Sequence, residues 1–195
     1  GEDTFWNHGV HTCAVCDGGF YRKKKVLVIG GGDSAMEEAS YLAKLCEKVY
    51  VVHRRDELRA SKIMADRALE NPKIEFIWDS QVTAVEGKVE GEHKRNVEKA
   101  IIKNLKTDER SEVEVTAVFV AIGHLPNTDW LGDLVETNNH GYVIVTDSLH
   151  TNQAGIFAAG DVHDSHYRQA ITAAGFGCMS ALEAERYLSK IGVVV

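Results

Sequence analysis

Residues 26–35 have the sequence VLVIGGGDSA, in which four apolar residues run directly into three glycines. A short, continuous apolar run is typical of a β-strand that is buried on both faces of a parallel sheet. Apolar residues then recur at helical spacing up to Ala43, and Ser34 with Glu37 matches a capping box. A second apolar run, residues 49–52, follows. The order strand, glycine turn, helix, strand predicts the βαβ unit of a dinucleotide-binding sheet.

The glycine turn fits the G-x-G-x-x-G/A fingerprint through Gly30, Gly32 and Ala35. The first glycine permits the tight turn, the second lets a pyrophosphate approach the backbone, and the small third residue lets the helix pack closely on the strand. The helix N-terminus, at Asp33 and Ser34, offers amide donors to a phosphate. The alternative is a glycine-rich turn that serves packing alone.

Basic side chains follow the second strand, where an NAD site usually carries an acidic residue. His53, Arg54 and Arg55 stand there, and Arg59 lies one turn further. Guanidinium groups can bind a dianionic 2′-phosphate through forked, charge-assisted hydrogen bonds. A solvated basic face at a helix start is the alternative, although a helix N-terminus disfavours cations unless an anion is present. The sequence therefore predicts binding of NADPH.

The rest of the chain favours an α/β fold in which an antiparallel meander is attached to a Rossmann-like parallel sheet. The pattern predicts a helix over residues 58–70, a strand over 74–78, short antiparallel segments between 81 and 115 with a turn at Gly87, a strand over 118–122, further strands at 141–145 and 155–159, and a long final helix from Ala170.

Composition and charge exclude several classes of protein. The 195 residues carry 22 Lys and Arg against 29 Asp and Glu, a formal charge of −7, so the chain is a poor candidate for nonspecific binding to nucleic acid or a membrane surface. No apolar run approaches the roughly 18 residues of a transmembrane helix. The lone cysteines, Cys46 and Cys178, are predicted to pack in a core.

Two other cysteines, Cys13 and Cys16, are separated by two residues and followed by Asp17. A helical turn would bring the two sulfurs within disulfide reach and stabilise a thiolate at its N-terminal end. Asp17 could then exchange the proton that thiol chemistry requires. Two alternatives stay open, namely a purely structural disulfide and a zinc site that adds His8 and His11.

A Cys-x-x-Cys-Asp-Gly motif about 14 residues ahead of an NADPH-type glycine loop resembles the low-molecular-weight thioredoxin reductases. This resemblance implies an enzyme that passes electrons from NADPH to FAD, then to a Cys13–Cys16 disulfide, and then to the disulfide of thioredoxin. The matching segments occur in the family's order and span essentially the whole chain: residues 13–18, 28–35, 53–56 with Arg59, 120–124, 155–161 and 167–170.

The resemblance also implies roles for individual residues. Cys16 would face the flavin, Cys13 would attack the thioredoxin disulfide, and Asp17 would act as acid and base. Gly160 and Asp161 would contact FAD, with the carboxylate accepting hydrogen bonds from cofactor hydroxyls. Three residues at the start of the last helix would lie along the flavin ring: Arg168, Gln169 and Ala170.

The same resemblance predicts an NADPH-binding domain with the cysteine pair over residues 1–122 and the C-terminal part of a Rossmann-like FAD-binding domain over 123–195. A connection near Gly123 and His124 would belong to the hinge between them. The family has an FAD-binding βαβ unit before the cysteine pair, whereas twelve residues precede Cys13 here. We therefore expect a fragment without the loop for the FAD pyrophosphate, and a homodimer when full length. Redox-active cysteines suit a cytoplasmic or, alternatively, an organellar compartment.

Two rival functions remain. The flavoprotein reductases of alkyl hydroperoxide reductase systems resemble the chain in the same segments, but they prefer NADH, which the basic residues Arg54, Arg55 and Arg59 disfavour. A non-catalytic, NADPH-binding or zinc-stabilised module is the second rival. Stoichiometric zinc in the purified chain, or a lack of reactivity at Cys13 and Cys16, would identify such a module.

Overall fold

The computed structural model describes residues 1–91 and 94–193. The chain divides into two compact units, one from Gly1 to Gly123 and one that begins at His124. The helices and strands are α1 (Glu2–Phe5), β1 (Val10–His11), α2 (Ala14–Asp17), β2 (Lys25–Ile29), α3 (Asp33–Leu45), β3 (Lys48–Val52), α4 (Lys62–Leu69), β4 (Ile74–Ile77), β5 (Ser80–Glu90), β6 (Lys94–Asn104), β7 (Arg110–Glu114), β8 (Ala117–Val120) and α5 (Ala170–Lys190).

A five-stranded parallel sheet in the order β1-β8-β2-β3-β4 forms the centre of the first unit. Side chains alternate between the two faces of a strand. Val26 and Val28 accordingly pack with α3 on one face, whereas Leu27 joins the cluster on the other. All three are fully buried, which is why β2 has a continuous apolar sequence. The α/β fold class predicted from the sequence is confirmed.

A three-stranded antiparallel sheet, β5-β6-β7, contributes side chains to the second buried cluster, which it shares with the parallel sheet. The predicted turn at Gly87 is wrong, because β5 continues through this residue to Glu90. The pairing register shifts between Glu86 and Gly87, and a Cβ on Gly87 would lie 1.9 Å from the carbonyl oxygen of Asn96. The glycine therefore marks a bulge where two strands approach closely, not a reversal of the chain.

Two helix starts differ from the sequence prediction. The N-cap of α3 is Gly32, without a side-chain cap hydrogen bond, so the predicted capping box of Ser34 and Glu37 is wrong. The helix predicted from residue 58 begins at Lys62. Arg59 consequently lies in the loop that precedes α4 rather than on the helix.

The second unit contains α5, which confirms the predicted final helix. The strands predicted at 141–145 and 155–159 are wrong: the described residues form isolated bridges there, Thr137 with Val143 and His150 with Phe157. An extended segment becomes a strand only when neighbouring segments continue its ladder.

The lone cysteines have different environments. Cys46 is buried against the first cluster, as predicted, and its thiol donates to the carbonyl oxygen of Tyr21 at 3.3 Å. The prediction for Cys178 is wrong, because this residue is exposed on α5, a helix with no buried side chain. Among the described residues, no helix has both the length and the apolar character needed to cross a membrane.

Candidate functional site

The glycine loop between β2 and α3 is tightly supported on its inner side. A Cβ on Gly30 would lie 2.3 Å from the carbonyl oxygen of Ala121 and 2.8 Å from the Cβ of Ala35, which is fully buried. A Cβ on Gly31 would lie 2.3 Å from the ring of His53. Only glycine fits at these two positions, and the small side chain at position 35 lets the helix approach the strand.

The outer side of the same loop is open. A Cβ on Gly32 would meet no atom within 4 Å, and this residue is the N-cap of α3. The first amides of the helix, beginning at Asp33 and Ser34, have no partner within the helix, and the helix dipole adds partial positive charge there. A phosphate group fits this position without displacing a side-chain cap.

A set of hydrogen bonds fastens the loop of residues 54–60 to the glycine loop. The amides of Arg59 and Ala60 donate to the carbonyl oxygen of Gly31, at 2.7 and 3.1 Å. The amide and hydroxyl of Ser61 both donate to Oδ1 of Asp33 at 2.8 Å. These two bonds lower the pKa of the Asp33 carboxyl group. Asp33 thus stays ionised and connects the start of α3 to the start of α4.

The loop of residues 54–60 exposes three arginine side chains: Arg54, Arg55 and Arg59. Lys106 anchors the loop from the other side, because its ammonium group lies 2.9 Å from both Asp56 and Asp79. Three guanidinium groups on one anchored loop, next to an open helix N-terminus, suit the 2′-phosphate and pyrophosphate of NADPH. These residues therefore fit the cofactor that the sequence predicts.

His53 has a different position from the arginines that follow it. The histidine is only 6% exposed, and its ring packs beneath Gly31. Burial lowers the pKa of His53, and the neighbouring arginines lower it further, despite a hydrogen bond to the backbone of Glu57. A neutral imidazole thus supports the glycine loop from below while the arginines remain in solvent.

The cysteine pair forms a disulfide in the same unit. Cys13 is the N-cap of α2, the Cα atoms of Cys13 and Cys16 are 5.3 Å apart, and the amide of Cys16 donates to the Cys13 sulfur at 3.1 Å. The helical turn expected from the spacing is present. Cys16 is exposed and Cys13 is half-buried, so a reaction partner can reach the disulfide from solvent.

His11 does not share a cluster with the two sulfurs. Its Nδ1 lies 3.0 Å from Oδ2 of Asp17, and its Nε2 lies 2.7 Å from the hydroxyl of Tyr21. Within residues 1–91 and 94–193, no group of three His, Cys, Asp or Glu side chains is arranged to hold a metal ion. Sequence reasoning weighed His11 as a zinc ligand and missed Tyr21 altogether. The spacing of the two residues, ten positions apart, carries no local pattern.

The second unit holds the residues that the sequence assigns to FAD. Gly160 is buried with φ +74°, and the exposed Asp161 follows it in a 3₁₀ turn, Gly160–Val162. A Cβ on Gly160 would lie 3.3 Å from the Cβ of Ala173. The glycine thus allows α5 to approach this turn, and the carboxylate beside it is available to hydroxyl donors.

Asp164 organises the segment that precedes α5, and sequence reasoning missed it. Its carboxylate accepts hydrogen bonds from three successive backbone amides, at 2.9, 2.9 and 3.1 Å. Burial alone would raise the pKa of Asp164, but these bonds outweigh burial and lower it. Gln169 is then the N-cap of α5, in a capping box with Thr172, and Ala170 is the first helical residue. The amides that bind the carboxylate belong to His166, Tyr167 and Arg168.

Comparison with known proteins agrees with this geometry. The chain matches the pyridine nucleotide-disulphide oxidoreductase family over residues 1–177. It is 52% identical to thioredoxin reductase 2 of Arabidopsis thaliana, with 98% of this chain and 50% of that protein covered. For the thioredoxin reductase of Chlamydia pneumoniae the identity is 49%, covering 96% of this chain and 60% of the relative. The solved structure of thioredoxin reductase from Streptococcus pyogenes superposes with a TM-score of 0.91 at 43% identity, covering 97% of this chain and 60% of that one.

The chain belongs to the pyridine nucleotide-disulphide oxidoreductases. The relatives named above are thioredoxin reductases, and the members of this group use FAD and NADPH. This chain spans about half the length of the curated relatives it matches.

Proposed function

We propose that the chain forms the NADPH-binding and disulfide-bearing part of a thioredoxin reductase. The observation that carries the proposal is the presence, in one compact unit, of an accessible Cys13–Cys16 disulfide and a glycine loop that is fastened to an arginine loop. The overall reaction takes two electrons from NADPH and reduces the disulfide of thioredoxin to a dithiol. NADP⁺ is released, and one proton is taken up.

NADPH binding is assigned to the first unit. The amides at Asp33 and Ser34 would hold the pyrophosphate, with Gly30, Gly32 and Ala35 shaping the loop. The guanidinium groups of Arg54, Arg55 and Arg59 would hold the 2′-phosphate, and His53 would support the loop from below. The absence of a carboxylate at the tip of β3 favours NADPH over NADH.

Dithiol chemistry is assigned to the cysteine pair. After reduction, the Cys13 thiolate would attack a sulfur of the thioredoxin disulfide, giving a mixed disulfide and one thioredoxin thiolate. The Cys16 thiolate would then attack Cys13, which restores the Cys13–Cys16 bond and releases the second thioredoxin thiolate. Asp17, which follows Cys16 directly, would take the proton from the Cys16 thiol.

FAD would connect the two half-reactions, because a flavin accepts a hydride and delivers two electrons to a disulfide. Gly160 and Asp161 would contact the cofactor. Arg168, Gln169 and Ala170 would lie along the flavin, held in place by Asp164. The whole protein would act as a cytoplasmic homodimer with thioredoxin as its partner. The net charge of −7 supports neither a nucleic-acid nor a membrane-surface partner.

Trapping of a mixed disulfide tests the assignment to thioredoxin. The Cys16→Ser chain keeps the attacking thiol and lacks the resolving thiol, so oxidised thioredoxin should remain covalently bound in non-reducing electrophoresis. The matched Cys13→Ser chain should form no such adduct. If only the Cys13→Ser chain retains thioredoxin, Cys16 is the attacking thiol and Cys13 the resolving one. If neither variant retains it, thioredoxin is not the substrate.

Titration with the two nicotinamide cofactors tests the NADPH site without any turnover. We expect calorimetry to give a much lower Kd for NADPH than for NADH, and replacement of both Arg54 and Arg55 by Ala to remove the difference. Equal affinities in the unmodified chain would contradict the site. They would instead favour the NADH-preferring flavoprotein reductases of alkyl hydroperoxide reductase systems.

A further inference from the structure

A buried imidazole lies between the residue proposed as acid and base and a tyrosine hydroxyl. His11 ends β1, the edge strand of the parallel sheet, and is 5% exposed. Its ring stacks on Phe119 of β8 with centroids 5.4 Å apart. One ring nitrogen faces Asp17 at 3.0 Å and the other faces the Tyr21 hydroxyl at 2.7 Å. A core contact and two polar contacts therefore fix the orientation of the ring.

The contact with Asp17 favours one tautomer of the imidazole. An ionised carboxylate is an acceptor only, so the 3.0 Å approach of Oδ2 favours the tautomer whose hydrogen is on Nδ1. In a neutral ring, Nε2 is then an acceptor, and the Tyr21 hydroxyl donates to it. Burial lowers the pKa of His11, although Asp17 raises it, and burial raises the pKa of Tyr21. Both shifts favour a neutral ring and a protonated hydroxyl.

We propose that His11 is a positioning residue, which holds Oδ2 of Asp17 and leaves Oδ1 to exchange the proton with the Cys16 thiol. This inference rests on the proposed function, in which Asp17 accepts that proton while the Cys16 sulfur attacks Cys13. When the Cys13–Cys16 disulfide forms again, the proton moves from the Cys16 sulfur to Oδ1 of Asp17, and the electron pair left on that sulfur makes the new S–S bond. The bond between Cys13 and thioredoxin breaks at the same time, and its electron pair leaves on the thioredoxin sulfur. The imidazole keeps the carboxylate from rotating away, and Tyr21 keeps the imidazole in the donating tautomer.

The groups around this imidazole come from two elements. Asp17 and Tyr21 contact it from the segment after β1, and β8 packs the uncharged ring of Phe119 against it. The charge of His8, from the same end of the chain, lowers the pKa of His11. The exposed His8 is a matched control, because replacing it removes a histidine three positions away without touching the contacts with Asp17 and Tyr21.

The test measures the rate at which the prereduced chain reduces oxidised thioredoxin between pH 6 and 9.5, by stopped-flow fluorescence without NADPH or flavin. We expect His11→Ser to slow this reaction about tenfold at pH 7, as loss of part of a general acid–base contribution would. The deficit should vanish above about pH 9, where a thiol with a pKa near 8.5 ionises without help. His8→Ser should match the unmodified chain. His11→Asn, whose amide can donate from nearly the same position as Nδ1, should recover most of the rate.

Double substitution separates this inference from the function on which it rests. If His11 acts through Asp17, the pair His11→Ser with Asp17→Asn should be no slower than Asp17→Asn alone. A His11→Ser chain that is slow by the same factor at every pH, or as fast as the unmodified chain, would overturn the positioning role while Asp17→Asn still slows the reaction. If Asp17→Asn has no effect, or the unmodified chain does not reduce thioredoxin, the proposed function itself fails.

Discussion

The two compact units bury their apolar side chains to different extents. In the first, fully buried clusters cover both faces of the parallel sheet and include Phe119 and Leu42. In the second, α5 has no buried side chain, and Leu125 and Ile171 are 91% and 81% exposed. Four buried apolar side chains of this unit lie before the helix instead: Val135, Tyr142, Val143 and Leu149.

This difference shows that the two candidate sites are stabilised in different ways. The glycine loop of the first unit rests on a packed core through Ala35 and His53, and the turn that carries the disulfide does so through the buried Ala14. The segment before α5 is held chiefly by local hydrogen bonds to Asp164. Substitutions of the same kind should therefore change the free energy of unfolding by different amounts in the two units.

The largest difference is expected for the deletion of a leucine side chain from a helix. Leu42 of α3 is fully buried, whereas Leu182 of α5 is 48% exposed. Leu42→Ala should lower the free energy of unfolding by about 2–5 kcal/mol, because it removes apolar contacts and leaves a cavity. Leu182→Ala should cost about 1 kcal/mol or less. Denaturant unfolding followed by circular dichroism measures both, and equal losses would contradict the comparison.

The effect of a glycine-to-alanine substitution on stability should have opposite signs in the two units. The added Cβ of Gly31→Ala would meet the His53 ring at 2.3 Å, so we expect destabilisation by about 1–3 kcal/mol through overpacking, with weaker NADPH binding. Gly177 is exposed within α5, and a Cβ there meets no atom within 4 Å. Gly177→Ala should stabilise the helix by up to about 1 kcal/mol. Thermal unfolding of the two variants gives the signs, and a shift in the same direction would break the comparison.

These differences also explain how much the sequence could predict. The continuous apolar run of β2 and the helical spacing of α3 are local patterns, so the parallel sheet, the glycine loop and the turn of Cys13–Cys16 were predicted correctly. The pattern at Gly87 was misread because a bulge and a turn both select glycine. What decides between them is the position of Asn96 on the neighbouring strand.

Long-range polar contacts escaped prediction for a similar reason. Asp33 and Ser61 are 28 positions apart, and His11 and Tyr21 are ten apart. No periodicity relates such residues before the chain folds. The three contacts of Asp164 are local in sequence, but an aspartate that precedes a helix is too common to be singled out.

Acidification should affect both units in the same direction. Burial lowers the pKa of His11 and His53 in the first unit, and of His124 and His163 in the second. Below about pH 6.5, where an unperturbed histidine protonates, the unfolded chain therefore binds more protons than the folded one. The free energy of unfolding should fall as the pH drops from 7.5 to 5.5.

Hydrogen exchange measured at several pH values resolves this effect by unit. His53→Asn should reduce the pH dependence of exchange protection in the first unit and leave the pH dependence in the second unit unchanged. Exchange protection that is constant, or that rises on acidification, would contradict the burial of these histidines.

The smallest effect is expected for the carboxylate that joins the two loops of the NADPH site. Asp33 is exposed and contributes little to the core, but its two bonds from Ser61 hold the loop that carries Arg59. Asp33→Asn weakens both bonds, because a neutral amide oxygen is a poorer acceptor than a carboxylate. We expect a few-fold rise in the Kd for NADPH and an unchanged Kd for NADH, since only NADPH has the 2′-phosphate that the arginines would bind. Calorimetric titration with both cofactors decides the matter: if the two affinities fall equally, Asp33 serves the pyrophosphate end of the site and not the arginine loop.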